Sequence, residues 1–195
     1  AWIGTSGASA STAYLYHSVD GVLQTDQAGY HDSGILGVFM WTNKVGHMLT
    51  GQFNPSTNTW LDSGINSTVD GVNWWVNTNV PSTHVIKIDA YGRSMQSTIV
   101  FSDVALVSAE EGWIVGSDGW ILHTTNATET ATRCANGWAE HGSYSAEDAA
   151  ATVWTREGEG LTELALNRVF FPSANAGYAL GTGDKPGTSN LHHRA

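Results

Sequence analysis

A short glycine-bounded pattern recurs along this chain, and its recurrence limits the fold more than any other feature. GWIVG spans Gly112 to Gly116, and AGYALG spans Ala176 to Gly181. GHMLTG, Gly46 to Gly51, is a looser copy, and the chain opens with AWIG, the tail of the same unit. The closing glycines Gly4, Gly51, Gly116 and Gly181 lie 47, 65 and 65 residues apart. An apolar strand precedes each internal copy: GVFMW, FSDVALV and LNRVFF. A polar turn and a second apolar strand follow: AYLYHS, WLDSGINST and WILHTT. Self-similarity of this kind marks arrays in which each unit stacks on the next.

Composition agrees. Gly is 22, Trp is 9, and charged residues are only 13% of the chain. That balance fits turn-rich β structure, since helices draw on Ala, Leu, Glu and Lys. The net charge is −10, with only Lys44, Lys87 and Lys185 among the lysines. Such a surface repels nucleic acid and anionic lipid, so no nucleic-acid partner is expected. No apolar run approaches the roughly 20 residues of a membrane span. Cys134 is the sole cysteine, so no disulfide forms within the chain.

A second motif follows the repeated strands. YHSVDGVLQT (Tyr16 to Thr25) and NSTVDGVNWW (Asn66 to Trp75) share a hydroxyl residue, an aspartate and a glycine: Ser18, Asp20 and Gly21, then Thr68, Asp70 and Gly71. An aspartate here accepts hydrogen bonds from the N–H groups just ahead of it. The glycine takes up positive φ. Trp74 is placed to fold back over the hairpin and bury its ring. In the third unit TTNATETATRCANGW stands where this box is expected, and the box reads as lost.

Together, S/T-x-D-G-x-x-W after a strand and F-x-x-x-x-x-G-W/Y-x-x-G before it resemble the Asp-box, or bacterial neuraminidase, repeat. Combined with GW-x-x-G and G-x-I-L-x-T, the pattern is most similar to propellers of the photosystem II assembly factor type. The resemblance covers most of the chain apart from about 137–160. It implies an all-β propeller, or an arc of about three four-stranded blades. The expected division is a partial blade at 1–33, a blade at 34–80, a blade at 81–160 with an insertion at about 139–160, and a partial blade at 161–195. Because propellers close with four to eight blades, the chain is expected to be part of a larger propeller. A β-sandwich with coincidental glycines is the competing fold. Within the insertion, Ser145 to Asp148 has the form of a capping box, and Glu140, Glu147, Asp148, Glu157, Glu159 and Glu163 make the region acidic.

The sequence names no catalytic residue, metal or cofactor. It has no G-x-S-x-G and no H-E-x-x-H. GTGDKPGTS (Gly181 to Ser189) lacks the Gly-Lys-Ser/Thr core of a phosphate loop. His17, Asp20, Asp26, His31 and Asp32 share one stretch but not EF-hand spacing. The Asp-box raises a sialidase-like glycosidase, yet none of Arg93, Arg133, Arg156, Arg168 and Arg194 lies in an Arg-Ile-Pro motif. Most tryptophans occupy repeat positions that wedge between blades. Trp75, sent opposite to Trp74 by strand alternation, and Trp154, in the insertion, are the candidates for ligand contact. Asn66 and Asn126 match the N-glycosylation acceptor pattern.

Three functions follow in order. The first is a non-catalytic binding or assembly module presenting a propeller face to a protein partner or to the rest of a larger propeller, as the assembly-factor resemblance implies. The second is a secreted or cell-surface glycan-binding propeller, and the third a glycosidase segment. A secreted location and a plastid lumen both stay open.

Overall fold

The computed structural model describes residues 2–4, 13–19, 22–30, 34–54, 56–57, 59–77, 79–88, 91–136, 151–182 and 190–194. They form consecutive antiparallel meanders. The first sheet holds β1 (Trp2–Gly4), β2 (Ala13–Val19) and β3 (Val22–Tyr30). The second holds β4 (Gly34–Met40), β5 (Gly46–Asn54), β6 (Thr59–Thr68) and β7 (Trp75–Val76). A separate hairpin follows, β8 (His84–Ile88) and β9 (Ser94–Thr98). The third sheet holds β10 (Phe101–Leu106), β11 (Gly112–Gly116), β12 (Ile121–Thr124) and β13 (Thr155–Glu157). The fourth holds β14 (Ala165–Ser173), β15 (Ala176–Thr182) and β16 (Asn190–Arg194). A single short helix, α1 (Glu129–Ala135), lies between β12 and β13 among the described residues.

The sheets stand side by side through their first strands: β1 beside β4, β4 beside β10, and β10 beside β14. That order is an all-β arc of propeller blades. Register confirms that the sequence repeats are structural repeats. A one-residue irregularity falls between Ile35 and Gly37, between Phe101 and Asp103, and between Leu166 and Arg168, each on the first strand opposite the end of the second. A bulge at one fixed place bends each blade alike. The closing glycine serves this junction: a Cβ on Gly116 would lie 2.5 Å from the Val100 carbonyl oxygen.

Side-chain alternation assigns each face to a neighbour. In β11, Ile114 joins Leu49, Ile65, Ile99, Phe101 and Leu122 in a cluster between the second and third sheets. Its neighbours Trp113 and Val115 point the other way, into a cluster with Leu166, Val169 and Ala179 of the fourth sheet. Leu15, Ile35 and Met48 form a third cluster, between the first and second sheets, with Trp74 packed against it. Backbone bonds cross the same seams. Phe101 N–H donates to Ser63 Oγ at 3.1 Å, and Val169 N–H donates to Asp103 Oδ2 at 3.0 Å.

The connection from β12 to β13 caps the middle seam. Thr130 and Thr152 exchange hydrogen bonds, each backbone N–H donating to the other's Oγ1 at 3.0 and 2.9 Å. Trp154 N–H donates to the Asn79 carbonyl at 3.0 Å. This anchoring turns the Trp154 ring inward, where it is 2% exposed. The expectation of Trp154 as an exposed ligand contact is therefore corrected: its segment is pinned to the second sheet, and the indole fills the central cluster. Its edge meets the His47 ring at 5.6 Å and 82°. The capping box proposed at Ser145, and Trp138, lie outside the described residues.

His47 is wholly buried, with its Nε2 3.0 Å from the Ala127 carbonyl, which fixes that nitrogen as the donor. Burial drives its pKa from 6.5 down to about 4, against the opposing pull of the Ala127 bond. The unfolded chain takes up this proton near 6.5 while the folded chain resists it. Stability accordingly falls as pH drops from about 6.5 and levels off below about 4, a loss of about 3 kcal/mol. Urea unfolding over this range should show the loss, and His47→Gln, which keeps a donor to Ala127 but does not titrate, should flatten it. Trp154→Ala should cost about 3–5 kcal/mol in the same assay at pH 7. A loss under 1 kcal/mol would contradict its place in the core.

Candidate functional site: a groove between the third and fourth sheets

The fourth sheet does not cover the third completely. Trp113, Val115, Ile121, Glu157, Gly158 and Leu161 face Val169, Phe171, Gly177, Tyr178 and Ala179 across an open groove of about 280 Å³. That is space for one large side chain or ring. Trp113 forms its inner wall, tilted at 30° to Phe171 with ring centroids 5.9 Å apart. The other face of Trp113 stacks on His123 at 3.9 Å and 15°. His123 in turn lies between two carboxylates, with Nε2 3.1 Å from Glu111 Oε1 and Nδ1 3.7 Å from Glu157 Oε1. The histidine and its acids thus brace Trp113 from behind. Glu111 and Glu157 stay half exposed at the rim. Arg156 closes the outer end, its guanidinium 4.5 Å over the Trp120 ring and its Nη1 donating to Glu159 at 2.9 Å.

The groove was not foreseen from sequence. Trp113 and Tyr178 were visible there as the aromatics of the repeat, but their pairing across a seam depends on the bulge and stagger of neighbouring sheets. His123 and Glu111 carry no linear signal, because β-pairing brings them together from two strands.

The aspartate turn is built as its chemistry demands. Asp70 Oδ1 accepts the backbone N–H groups of Val72 and Asn73, both at 2.8 Å, and the Thr68 hydroxyl at 3.2 Å. Asp70 Oδ2 accepts Asn73 Nδ2 at 2.8 Å. Thr68 Oγ1 accepts Gly71 N–H at 2.9 Å. Gly71 has φ of +76°, and a Cβ on it would lie 2.5 Å from the Asn43 carbonyl oxygen. Ser18 lies in β2, whereas Asp20 and Gly21 fall outside the described residues. Trp74 packs on the cluster between the first two sheets, and Trp75, half buried, pairs with Ser67 at the start of β7.

The third unit keeps the turn in altered form, which corrects its reading as lost. Thr124 pairs with Gly112 as Thr68 pairs with Gly46. Two residues on, Asn126 stands where Asp70 stands. Its Oδ1 accepts the Thr124 hydroxyl at 3.0 Å and Val153 N–H at 2.9 Å, and its Nδ2 donates to the Ala151 carbonyl at 3.1 Å. An amide oxygen accepts these bonds as a carboxylate does, and the amide nitrogen adds a tie that aspartate lacks. The acceptor pattern at Asn126 is thus a turn residue with its amide engaged. Asn66 is 4% exposed on β6, its Nδ2 directed at Thr50 Oγ1. Neither side chain projects in the way a glycan on the folded chain requires.

No known family's sequence profile matches this chain, and no curated protein matches it. Among solved structures it is similar to one described as YCF48 bound to D1 peptide, at 11% identity and a TM-score of 0.32. The likeness covers 90% of this chain and 59% of that one, so the chain spans well under two thirds of its length. No helix among the described residues is long and apolar enough to cross a membrane.

Burial raises the Asp70 pKa, but the bonds from the Asn73 side chain, the Val72 and Asn73 N–H groups and Thr68 outweigh it, and the net shift is downward. A depressed carboxylate stabilises the fold above its unfolded pKa near 4 and loses that contribution as pH falls through the folded value. Asp70→Ala should cost about 1–2 kcal/mol at pH 7. The difference from the parent should shrink below pH 4 in acid-titrated urea unfolding.

Proposed function

We propose that this chain is a non-catalytic binding or assembly module of the Asp-box propeller type. It presents the groove between the third and fourth sheets to a protein partner. The observation that carries this reading is the groove itself: an open slot with Trp113, Phe171 and Tyr178 in its walls and Leu161 on its lip. Such slots take an apolar or aromatic anchor residue from a partner, since burying one large side chain yields about 1.5–3 kcal/mol. The half-exposed Glu111 and Glu157 favour a partner with lysine or arginine beside that anchor.

Two features support this reading over the glycan and glycosidase alternatives. A sugar site needs several polar partners within reach, and Glu157 is the one charged residue of the groove lining. A glycosidase needs two carboxylates facing a cleft, whereas Glu111 and Glu157 both turn toward His123.

A photo-crosslinking amino acid at Leu161, 64% exposed on the lip, tests the proposal in the native cells. It should capture a discrete protein that the same group at exposed Thr57 does not. Ala179→Trp, which fills the groove floor, should abolish that capture. Equal labelling from both positions, or labelling indifferent to Ala179→Trp, would refute the reading.

A further inference from the structure

The hairpin β8–β9 differs from every other sheet among the described residues in having only two strands. Two strands alone are marginal in water. One side is supported: Val85 packs against the central cluster, and β9 lies beside β6. The Lys87 ammonium pairs with the Asp118 carboxylate, which ties the same face to the third sheet. The other face is bare. Ile86 is 76% exposed and Ile88 is 64% exposed. No strand among the described residues pairs with the outer edge of β8. The β8–β9 ladder runs without any bulge, from His84 opposite Thr98 to Ile88 opposite Ser94.

Natural edge strands are guarded by lysine, proline, bulges or brevity. β8 reads HVIKI, and its one lysine is held by Asp118. An unguarded, regular, β-branched edge is a surface for pairing. We infer that β8 is a dimerisation edge, on which a second copy of this chain adds its own β8 antiparallel about a two-fold axis at Ile86.

The register argues for a second copy as occupant. Centred on Ile86, the pairing sets Ile86 against Ile86, Val85 against Lys87 and His84 against Ile88. No like charges face each other, and the bare isoleucines of the two copies form one continuous row. Self-complementarity of this sort is what a two-fold interface demands. The product is a sheet ordered β9–β8–β8–β9, with four strands like the second and third sheets. Each copy carries a net charge of −10. Overall repulsion therefore opposes the apolar contact, and added salt should strengthen the dimer rather than weaken it.

Sedimentation velocity across micromolar concentrations tests this. The expected result is reversible conversion between the 20.8 kDa chain and a species of twice that mass, shifted toward dimer by salt. Ile86→Lys, which sets two lysines opposite each other, should weaken the dimer at least about tenfold. Met95→Ser, on β9 and the other hairpin face, should not. Near-UV circular dichroism from the buried tryptophans reports whether each variant is folded; if Ile86→Lys is not, Ile86→Thr keeps the β-branch and serves instead. Hydrogen exchange of 84–88 should slow as concentration rises. A chain monomeric at every concentration, a dimer indifferent to both Ile86 variants, or β8 amides whose exchange ignores concentration would each overturn the inference. So would protection that arises only when a different protein is added.

Discussion

Ile114 and Trp113 are adjacent in β11, yet they enter different cores. Everything else in the structure depends on this two-sided burial. A strand with apolar residues on both faces has no solvent side, so its sheet must have a neighbour on each flank. No sheet here encloses a core of its own. The cores lie in the seams, and each belongs jointly to two sheets. The recurring bulge and closing glycine set the angle at which successive sheets meet, and so determine whether a seam closes or stays open. The seam between the second and third sheets is sealed by Trp154 and the segment that carries it. The next seam has no such plug, and it is where the groove opens.

Polar groups in this fold mostly hold turns in place. Asp70 and Asn126 occupy equivalent corners, and each satisfies backbone donors that would otherwise be left bare at the end of a strand. The substitution of asparagine for aspartate is informative. At Asp70 every bond runs to groups within a few residues. At Asn126 the extra amide nitrogen reaches Ala151, and the corner becomes a clasp between distant parts of the chain. His47 belongs to the same economy of polar groups, its one donor directed to Ala127 from a site closed to water.

Much of this architecture was legible in the sequence because it rests on local periodicity. The glycine-aromatic pairs identified β5, β11 and β15, and the residues on either side identified the flanking strands. The aspartate turn was legible at Asp70 for the same reason, since its partners lie within five residues. What was missed depends on contacts between strands far apart. Asn126 hid because asparagine in Asn-Ala-Thr matches an acceptor pattern, and its partners Ala151 and Val153 lie about 25 residues away. Trp154 looked like a surface residue because the surrounding sequence breaks the repeat. Its inward turn depends on Asn79, in another sheet. The β8–β9 hairpin lacks the glycine-aromatic pair, and the repeat offered no template for it.

The exchange of hydrogen bonds between Thr130 and Thr152 has a consequence for how such a chain can change over time. The two threonines bracket the stretch joining α1 to β13 and hold its ends at fixed points beside the second sheet. Once a loop's ends are held, added length weighs only logarithmically on stability, about 0.6 kcal/mol for each doubling. The sequence between them is thereby released from the fold's constraints. It is the natural place for insertions to accumulate, and the place where a foreign peptide could be grafted with the least disturbance to the seams.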